Sequence, residues 1–271
     1  LVDEANLTSE FVELLRPATV MGQMSGFRSV PFNVKVPTQV GATAVTWVGE
    51  AAEKPTTEMK FGQTTLGFAK VAGIVVLSQE LMRFSSPAAD VLVRDDMVKT
   101  VSQFLDQQFV DPTKAEAPES PASILYGVAP IASTGTTAAA YDADLGKMVA
   151  EFVSTNQSLQ GAYWLMSETR AIQLSLLRDA LGNTYFQGMG LAGTRNLLGL
   201  PVIASEAIGD KIILVKPGNI LLADDGGVDI AYSDQATIKN GAYTLSLFQQ
   251  NLFGIRAERY IRWKAARKAA S

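Results

Sequence analysis

The sequence predicts an α+β protein, and three observations carry that class. Residues 33–110 read as a long two-arm hairpin that empties into a single long helix. Residues 142–235 alternate helical patterns with short apolar strands, the mark of a compact α/β or α+β unit. From Gly241 the pattern turns extended again, which would pack a late strand back on the long helix. The first unit is then built from both ends of the chain, with the middle unit inserted between them.

Composition sets the outer limits. At 271 residues the chain can bury a sizeable core as one or two domains. Hydrophobic residues at 47% against 18% charged mark a globular chain, not a disordered one. The sequence has no Cys and no His, so disulfides, thiol nucleophiles, imidazole metal ligands and histidine general bases are excluded. Most familiar hydrolases and most transition-metal enzymes go with them. The missing Cys fits any redox compartment.

Net charge is −4 but unevenly spread. Residues 1–255 carry 17 Lys+Arg against 26 Asp+Glu, whereas 256–271 carry six basic residues (Arg256, Arg259, Arg262, Lys264, Arg267, Lys268) against Glu258 alone. A basic tail of this kind attracts phosphate or forms a solvated strand edge. No stretch reads as membrane-spanning: the longest uncharged run, Ser120–Tyr141, is broken by Pro, Gly, Ser and Thr. No signal peptide is visible, and the start at Leu1 fits either a removed propeptide or a trimmed chain.

Taken in order, residues 1–16 hold a short amphipathic pattern (Leu7, Phe11, Leu14, Leu15) with Thr8 or Ser9 as N-cap, stopped by Pro17. Val20 to Phe32, punctuated by Gly22, Gly26 and Pro31, reads as extended and loop-like, an arm reaching away or a surface lead-in. The hairpin arms are Asn33–Val48 and Met59–Val76, joined by a charged, proline-bearing tip over residues 49–58. Two strands have too little apolar face to offset their ordering entropy, so such a hairpin needs cover, and a second copy of the chain is the natural source.

Ser86-Pro87 then supplies an N-cap and a proline at the first helical position. Val91, Val98, Val101, Leu105 and Phe109, widened by Met97 and Phe104, form the apolar stripe, with Arg94, Asp95, Lys99, Asp106 and Gln107 mostly opposite. A helix from Pro87 to Val110 would be ~36 Å long, a structural spine ended by Asp111-Pro112. Asp111–Tyr141 is a low-charge linker with one ordered piece at Ile124–Val128. Asp142 caps a helix carrying Leu145, Met148, Val149 and Phe152. Tyr163–Met166 is a strand, and Ser167 caps a second helix through Ile172, Leu174, Leu176 and Leu177. Strands follow at Leu200–Ala204, Lys211–Val215, Asn219–Leu222 and Val228–Tyr232, with residues 224–227 (Asp-Asp-Gly-Gly) as a hairpin turn signal between the last two. Tyr243, Leu245 and Leu247, then Phe253, Ile255 and Ala257 after a slip at Phe248–Asn251, read as one long bulged strand.

Candidate chemistry is sparse. Gly188, Gly190 and Gly193 match GxGxxG, but Tyr185-Phe186-Gln187 is a poor buried strand and Asn196–Pro201 is no helix, so a glycine loop is expected in place of a dinucleotide site. Asp224, Asp225 and Asp229 lack the EF-hand spacing and its terminal Glu, which leaves a turn. No pair among the 27 acids stands out for glycosidic chemistry. No catalytic, cofactor-binding or metal-ligating residue is assigned. Trp164 and Trp263 read as packing residues. Trp47, on a projecting hairpin with no core of its own, is expected to bury against a neighbour, and the tip residues Glu50, Glu53, Lys54, Pro55 and Glu58 join it as intersubunit contact candidates.

Several of these stretches resemble a known family. The run from Trp47 to Pro55 (Trp-Val-Gly-Glu-Ala-Ala-Glu-Lys-Pro), then Phe61-Gly62-Gln63 and Leu77-Ser78-Gln79-Glu80-Leu81, resembles the major capsid proteins of tailed bacteriophages, in the branch with the Hong Kong ninety-seven-type fold. Glu10–Ala18 looks like that family's N-terminal segment, and Asn196–Ser205 is similar to its mid-domain strand. The resemblance implies an N-terminal arm over 1–32 and an extended loop over 33–69. It implies a peripheral domain from 70–134 and 236–271, with its spine helix at 86–110, and an axial domain over 135–235.

It also implies a structural, non-enzymatic protein of the virion, assembled in the bacterial host cytoplasm. Hexamers and pentamers would close an icosahedral shell around double-stranded DNA, touching that DNA non-specifically. The partners implied are the protein itself and the phage's portal, scaffold or protease and decoration proteins, with no membrane and no cofactor. Some family members crosslink a loop lysine to an asparagine with help from a glutamate. Lys54 stands at the lysine position, Gln250 at the asparagine position with Asn251 one residue off, and Ala257 where the glutamate would be. The proton acceptor is missing, so a salt bridge or hydrogen bond from Lys54 is expected instead. Two rivals remain: an encapsulin-type nanocompartment shell, and a small-molecule enzyme using the middle unit with Gly188–Gly193 as its loop.

Overall fold

The structure, a computed structural model, describes residues 19–39, 46–50, 61–80, 88–191, 193–241 and 243–266. The chain enters through a single helical turn, α1 (Val20–Gln23), capped by Thr19, whose hydroxyl accepts from the Gly22 N–H. Short strand β1 (Arg28–Ser29) and strand β2 (Lys35–Gln39) follow, then β3 (Phe61–Thr65) and β4 (Lys70–Ser78). The long helix α2 spans Ala88–Val110.

The middle of the chain holds α3 (Ala138–Ser154), β5 (Tyr163–Met166), α4 (Glu168–Leu176), β6 (Asn196–Leu197), β7 (Leu200–Ala204) and β8 (Ile212–Val215). The end brings β9 (Ile220–Asp224), β10 (Asp229–Ser233), a β11 (Thr237–Asn240) to β12 (Tyr243–Ser246) hairpin, and β13 (Leu252–Ala265).

Strand β13 organises the first unit. It pairs antiparallel with β4 from Leu252↔Ser78 to Tyr260↔Lys70, and with β10 over residues 254–258 and β9 over 261–265. The second unit is a sheet ordered β6-β7-β5-β8, with β5 parallel to β7 and antiparallel to β8. Trp164 is fully buried in its core, beside Leu145, Phe152, Leu174 and Leu214, and its indole N–H donates to the Leu197 carbonyl at 3.0 Å.

The two units are joined by one continuous core. Leu105 and Phe109 of α2, Ile124, Leu165 of β5, Ile213 of β8 and Trp263 of β13 all belong to it. Trp263 meets Phe109 edge-on at 5.5 Å and donates its indole N–H to the Ala122 carbonyl at 2.8 Å. A smaller cluster of Met97, Val98, Val228 and Ala257 packs α2 against β10 and β13.

Several local expectations change. Asp224–Gly227 does not close a hairpin. Strands β9 and β10 lie end to end along the same edge of β13, opposite the edge that β4 occupies. Residues 225–228 stand out as a bulge opposite Arg259 and Tyr260. Asp224 stitches that bulge by accepting from the Gly226 N–H at 3.0 Å and from Arg259 at 2.8 Å. The late extended region is not one bulged strand either, because the slip at Phe248–Asn251 is a turn separating β12 from β13.

Helix α3 begins a full turn before Asp142, capped by Thr137, whose hydroxyl accepts from Ala140. Residues 20–30 do not reach away from the body, since Val20, Met21, Met24 and Val30 are buried. Phe104 is exposed on α2 while Asp106, expected on its polar face, is buried. Ser167 does cap α4, accepting from the Arg170 N–H. The expected cap at Ser86-Pro87 and the helix over residues 1–16 lie outside the described residues.

Trp263→Ala removes a large side chain from the shared core and leaves the Ala122 carbonyl without its donor. A loss of about 3–5 kcal/mol in unfolding free energy is expected by urea titration, with both units unfolding together.

Candidate intersubunit surface

The hairpin is built from β2 and β3, which pair from Lys35↔Thr65 to Gln39↔Phe61 and take up no third strand among the described residues. Its base is anchored: Val36 and Leu66 pack with Val30, Leu221 and Ala223, and the Asn33 N–H donates to the Leu66 carbonyl at 2.7 Å. The second arm expected over Met59–Val76 is broken at residues 66–69, where the chain leaves β3 and enters the main sheet as β4. An aromatic row marks that crossing, with Phe32 5.2 Å from Phe68 and Phe68 edge-on to Tyr260 at 6.3 Å. Phe68 is still more than half exposed.

At the base Val34 is exposed, and among the described residues beyond it Trp47 is fully exposed at 101% and Val48 is exposed too. Glu50 lies exposed in a turn. Glu53, Lys54, Pro55 and Glu58 lie outside the described residues, so of the six candidates the structure places Trp47 and Glu50. Gln250 and Asn251 sit in the turn before β13, where the Asn251 carbonyl accepts from the Gln79 N–H at 2.8 Å. Ala257 is buried against Met97 and Val98, which leaves no carboxylate at that position.

Sequence reasoning missed a second set of open apolar side chains. Tyr243 and Phe248 are exposed on and after the β11–β12 hairpin, Leu176 at the end of α4, and Leu181, Leu191 and Leu198 on the loops of the middle unit. A signal was present at Leu181 and Leu198, each next to a glycine of positive φ, because an apolar residue within a turn cannot enter the core of its own unit.

Electrostatics at the surface are mostly closed within the chain. The basic tail is largely paired: Arg259 with Asp224 at 2.8 Å, Arg262 and Lys264 with Glu116 at 3.2 Å each, and Arg256 and Lys70 with Glu258 at 3.5 and 3.2 Å. Burial pushes the Glu116 carboxyl up, but the bonds from Lys264 and Arg262 outweigh it and hold the group below the usual range. Glu168 is held low by the Arg195 guanidinium, which grips it through two bonds at 2.6 and 2.8 Å.

The same Arg195 donates to the Gly190 and Leu191 carbonyls, strapping the glycine loop shut. Strand β6, not a helix, follows that loop, so the setting of a dinucleotide site is lacking. Among the described residues no group of three or more Asp and Glu stands close enough to hold a metal ion. No described helix is long and apolar enough to cross a membrane.

Residues 4–270 match the phage capsid family. The chain is 40% identical to the capsid polyprotein of Pseudomonas phage PAJU2, over 99% of its own length and 43% of the relative's. It is 24% identical to the major capsid protein of Klebsiella oxytoca phage phiKO2, over 91% and 61%. It thus spans about half the length of these relatives. Among solved structures it superposes on a chain from Mycobacterium phage Ogopogo with a TM-score of 0.70 at 16% identity, covering 92% of this chain and 89% of that one. A chain described as the capsid of a native GTA particle gives 0.66 at 17% identity, covering 93% and 88%.

Gly188 sits at φ +96°, and a Cβ there would stand 2.8 Å from the Asn196 carbonyl oxygen. Gly188→Ala is expected to cost about 1–3 kcal/mol of stability by urea titration. The loop spanning 188–195 should also become the first site of protease cleavage.

Proposed function

The chain belongs to the phage capsid family, and on that premise we propose that it works as a major capsid subunit, a structural protein that self-assembles into hexamers and pentamers of an icosahedral shell around double-stranded DNA. The observation that carries this reading is Trp47, a fully exposed indole beyond a two-strand hairpin of which the other described residues cover only the base. Laid on an adjacent subunit, that hairpin gains the cover it lacks alone. Residues 33–69 act as the extended loop, and residues 49–58 as the tip that meets the neighbour. An interface of ~1,600 Å² is of ordinary specific size, and several such contacts per subunit hold each one far more firmly than any single pair.

The charge balance supports a light hold on DNA. With Arg256, Arg259, Arg262 and Lys264 paired to acids of the same chain, the described part of the basic tail has little charge left to neutralise phosphate. A wall of this kind permits packaging and release. The subunit would assemble in the host cytoplasm and meet portal, scaffold or protease and decoration proteins there.

Electron microscopy of the purified protein across a concentration series tests the proposal directly. Closed shells or capsomers are expected, and a well-folded monomer at high concentration overturns it. Trp47→Ala should leave subunit stability within about 0.5 kcal/mol. Sedimentation should show it raising the concentration needed for assembly about tenfold or more. Filter binding to assembled shells should be weak, with a shallow dependence on salt.

A further inference from the structure

Asp106 is a buried carboxylate near the C-terminal end of α2, 3% exposed, that faces no cation. Its Oδ1 accepts from the Val20 N–H at 2.9 Å, and its Oδ2 from the Ser205 hydroxyl at 2.9 Å. Three parts of the chain, 86 and 99 residues away from each other along the sequence, thus meet on one side chain: α1, the long helix and the end of β7.

The neighbours leave it electrostatically alone. Helix α1 and strand β7 carry no ionisable side chain. Glu206, on the turn after Ser205, is exposed, as are Asp210 and Lys211 beyond it. Along the chain the flanking ionisable residues are Lys99 on α2, which is exposed, and Asp111 just past its end. Burial pushes the Asp106 carboxyl up to about 6 from 3.8, against the downward pull of the two hydrogen bonds.

We infer that Asp106, Val20 and Ser205 form a proton-operated clasp, which holds the start of the described chain against the helix and the middle unit more tightly in mild acid than at neutral pH. The two partners are not equivalent. The Val20 amide can only donate, so Oδ1 must remain an acceptor in either state. The Ser205 hydroxyl can donate or accept, so a proton added at Oδ2 turns that bond round and points at Ser205 Oγ. Neutral Asp106 therefore keeps both bonds and sheds the cost of a buried charge.

The sign follows: a group raised on docking stabilises the docked state fully below pH 3.8, and that contribution is lost as pH rises through about 6. The clasp is a property of one chain and stands apart from the shell reading. It gives the region a response to acid opposite to that of an ion pair, which opens when its carboxylate is protonated.

Hydrogen exchange of the full chain tests it, read as protection factors for the Val20–Met24 amides and so corrected for intrinsic exchange. Wild-type protection should rise about tenfold between pH 7.5 and pH 5. Asp106→Asn, whose amide reproduces the neutral acid's bonds, should give high protection and a flat profile. Ser205→Ala removes a donor to the charged form, so the midpoint should move to higher pH, and this variant decides the matter if the first one fails to fold. A flat wild-type profile overturns the clasp. So does a pH dependence retained in Asp106→Asn, or a midpoint unmoved or lowered in Ser205→Ala.

Discussion

Strand β13 is the constraint on which the rest of the fold depends. It is the only described strand that pairs with β4, β9 and β10, and it supplies Ile261 and Trp263 to the core shared by both units. Strand β4 leaves the hairpin and finds its partner nearly two hundred residues later in the chain, so the first unit cannot close until the end of the chain is in place. Non-local pairing of this kind folds slowly, because loop-closure entropy is lost before the contacts that offset it are made. The middle unit, from α3 to β8, draws its core from residues between 131 and 214 and has no such delay. The physical order that follows is a locally assembled middle unit, which then serves as the surface on which α1, α2 and β13 settle.

The hairpin marks the other extreme. Its base is held by Val36 and Leu66 against β9, where burial of each apolar side chain contributes about 1.5–3 kcal/mol. Past Gln39 nothing comparable among the described residues is available to Trp47 and Val48, which are exposed. A held foot and exposed side chains at Trp47 and Val48 suit the proposed role of a segment that aims at a neighbouring copy: the foot would set its direction and the neighbour would supply the missing burial.

Much of this was legible because it is local. Ser167 ahead of an apolar-periodic run declares a helix start, and Tyr163–Met166 is too short and too apolar for anything but a buried strand. The glycine loop was readable through what failed to follow it. Asp224–Gly227 misled because a turn signal fixes local backbone and not pairing; β13, thirty residues on, takes both flanking strands and converts the turn into a bulge. Asp106 misled because it sits at the border of the apolar stripe, next to Leu105 and one turn from Ser102, and only the arrival of Val20 and Ser205 decides which side it joins. The open side chains at Tyr243, Phe248 and Leu191 follow from tertiary placement that no periodicity encodes.

The spread of those open side chains bears on the kind of association the proposed shell would use. Trp47 and Val48 lie in the segment between β2 and β3, Tyr243 beside the β11–β12 turn, Phe248 in the turn between β12 and β13, and Leu181, Leu191 and Leu198 on loops of the middle unit. A single large apolar patch would commit the chain to one tight pairing and expose it to aggregation before that pairing formed. Separate small patches do neither. In the proposed shell each alone would give a weak, reversible contact, and stability would come only when several neighbours are engaged together and the contacts become intramolecular in effect. Reversibility at each contact also lets a misplaced subunit leave before its neighbours lock it in, which is what accurate closure of a many-subunit shell requires.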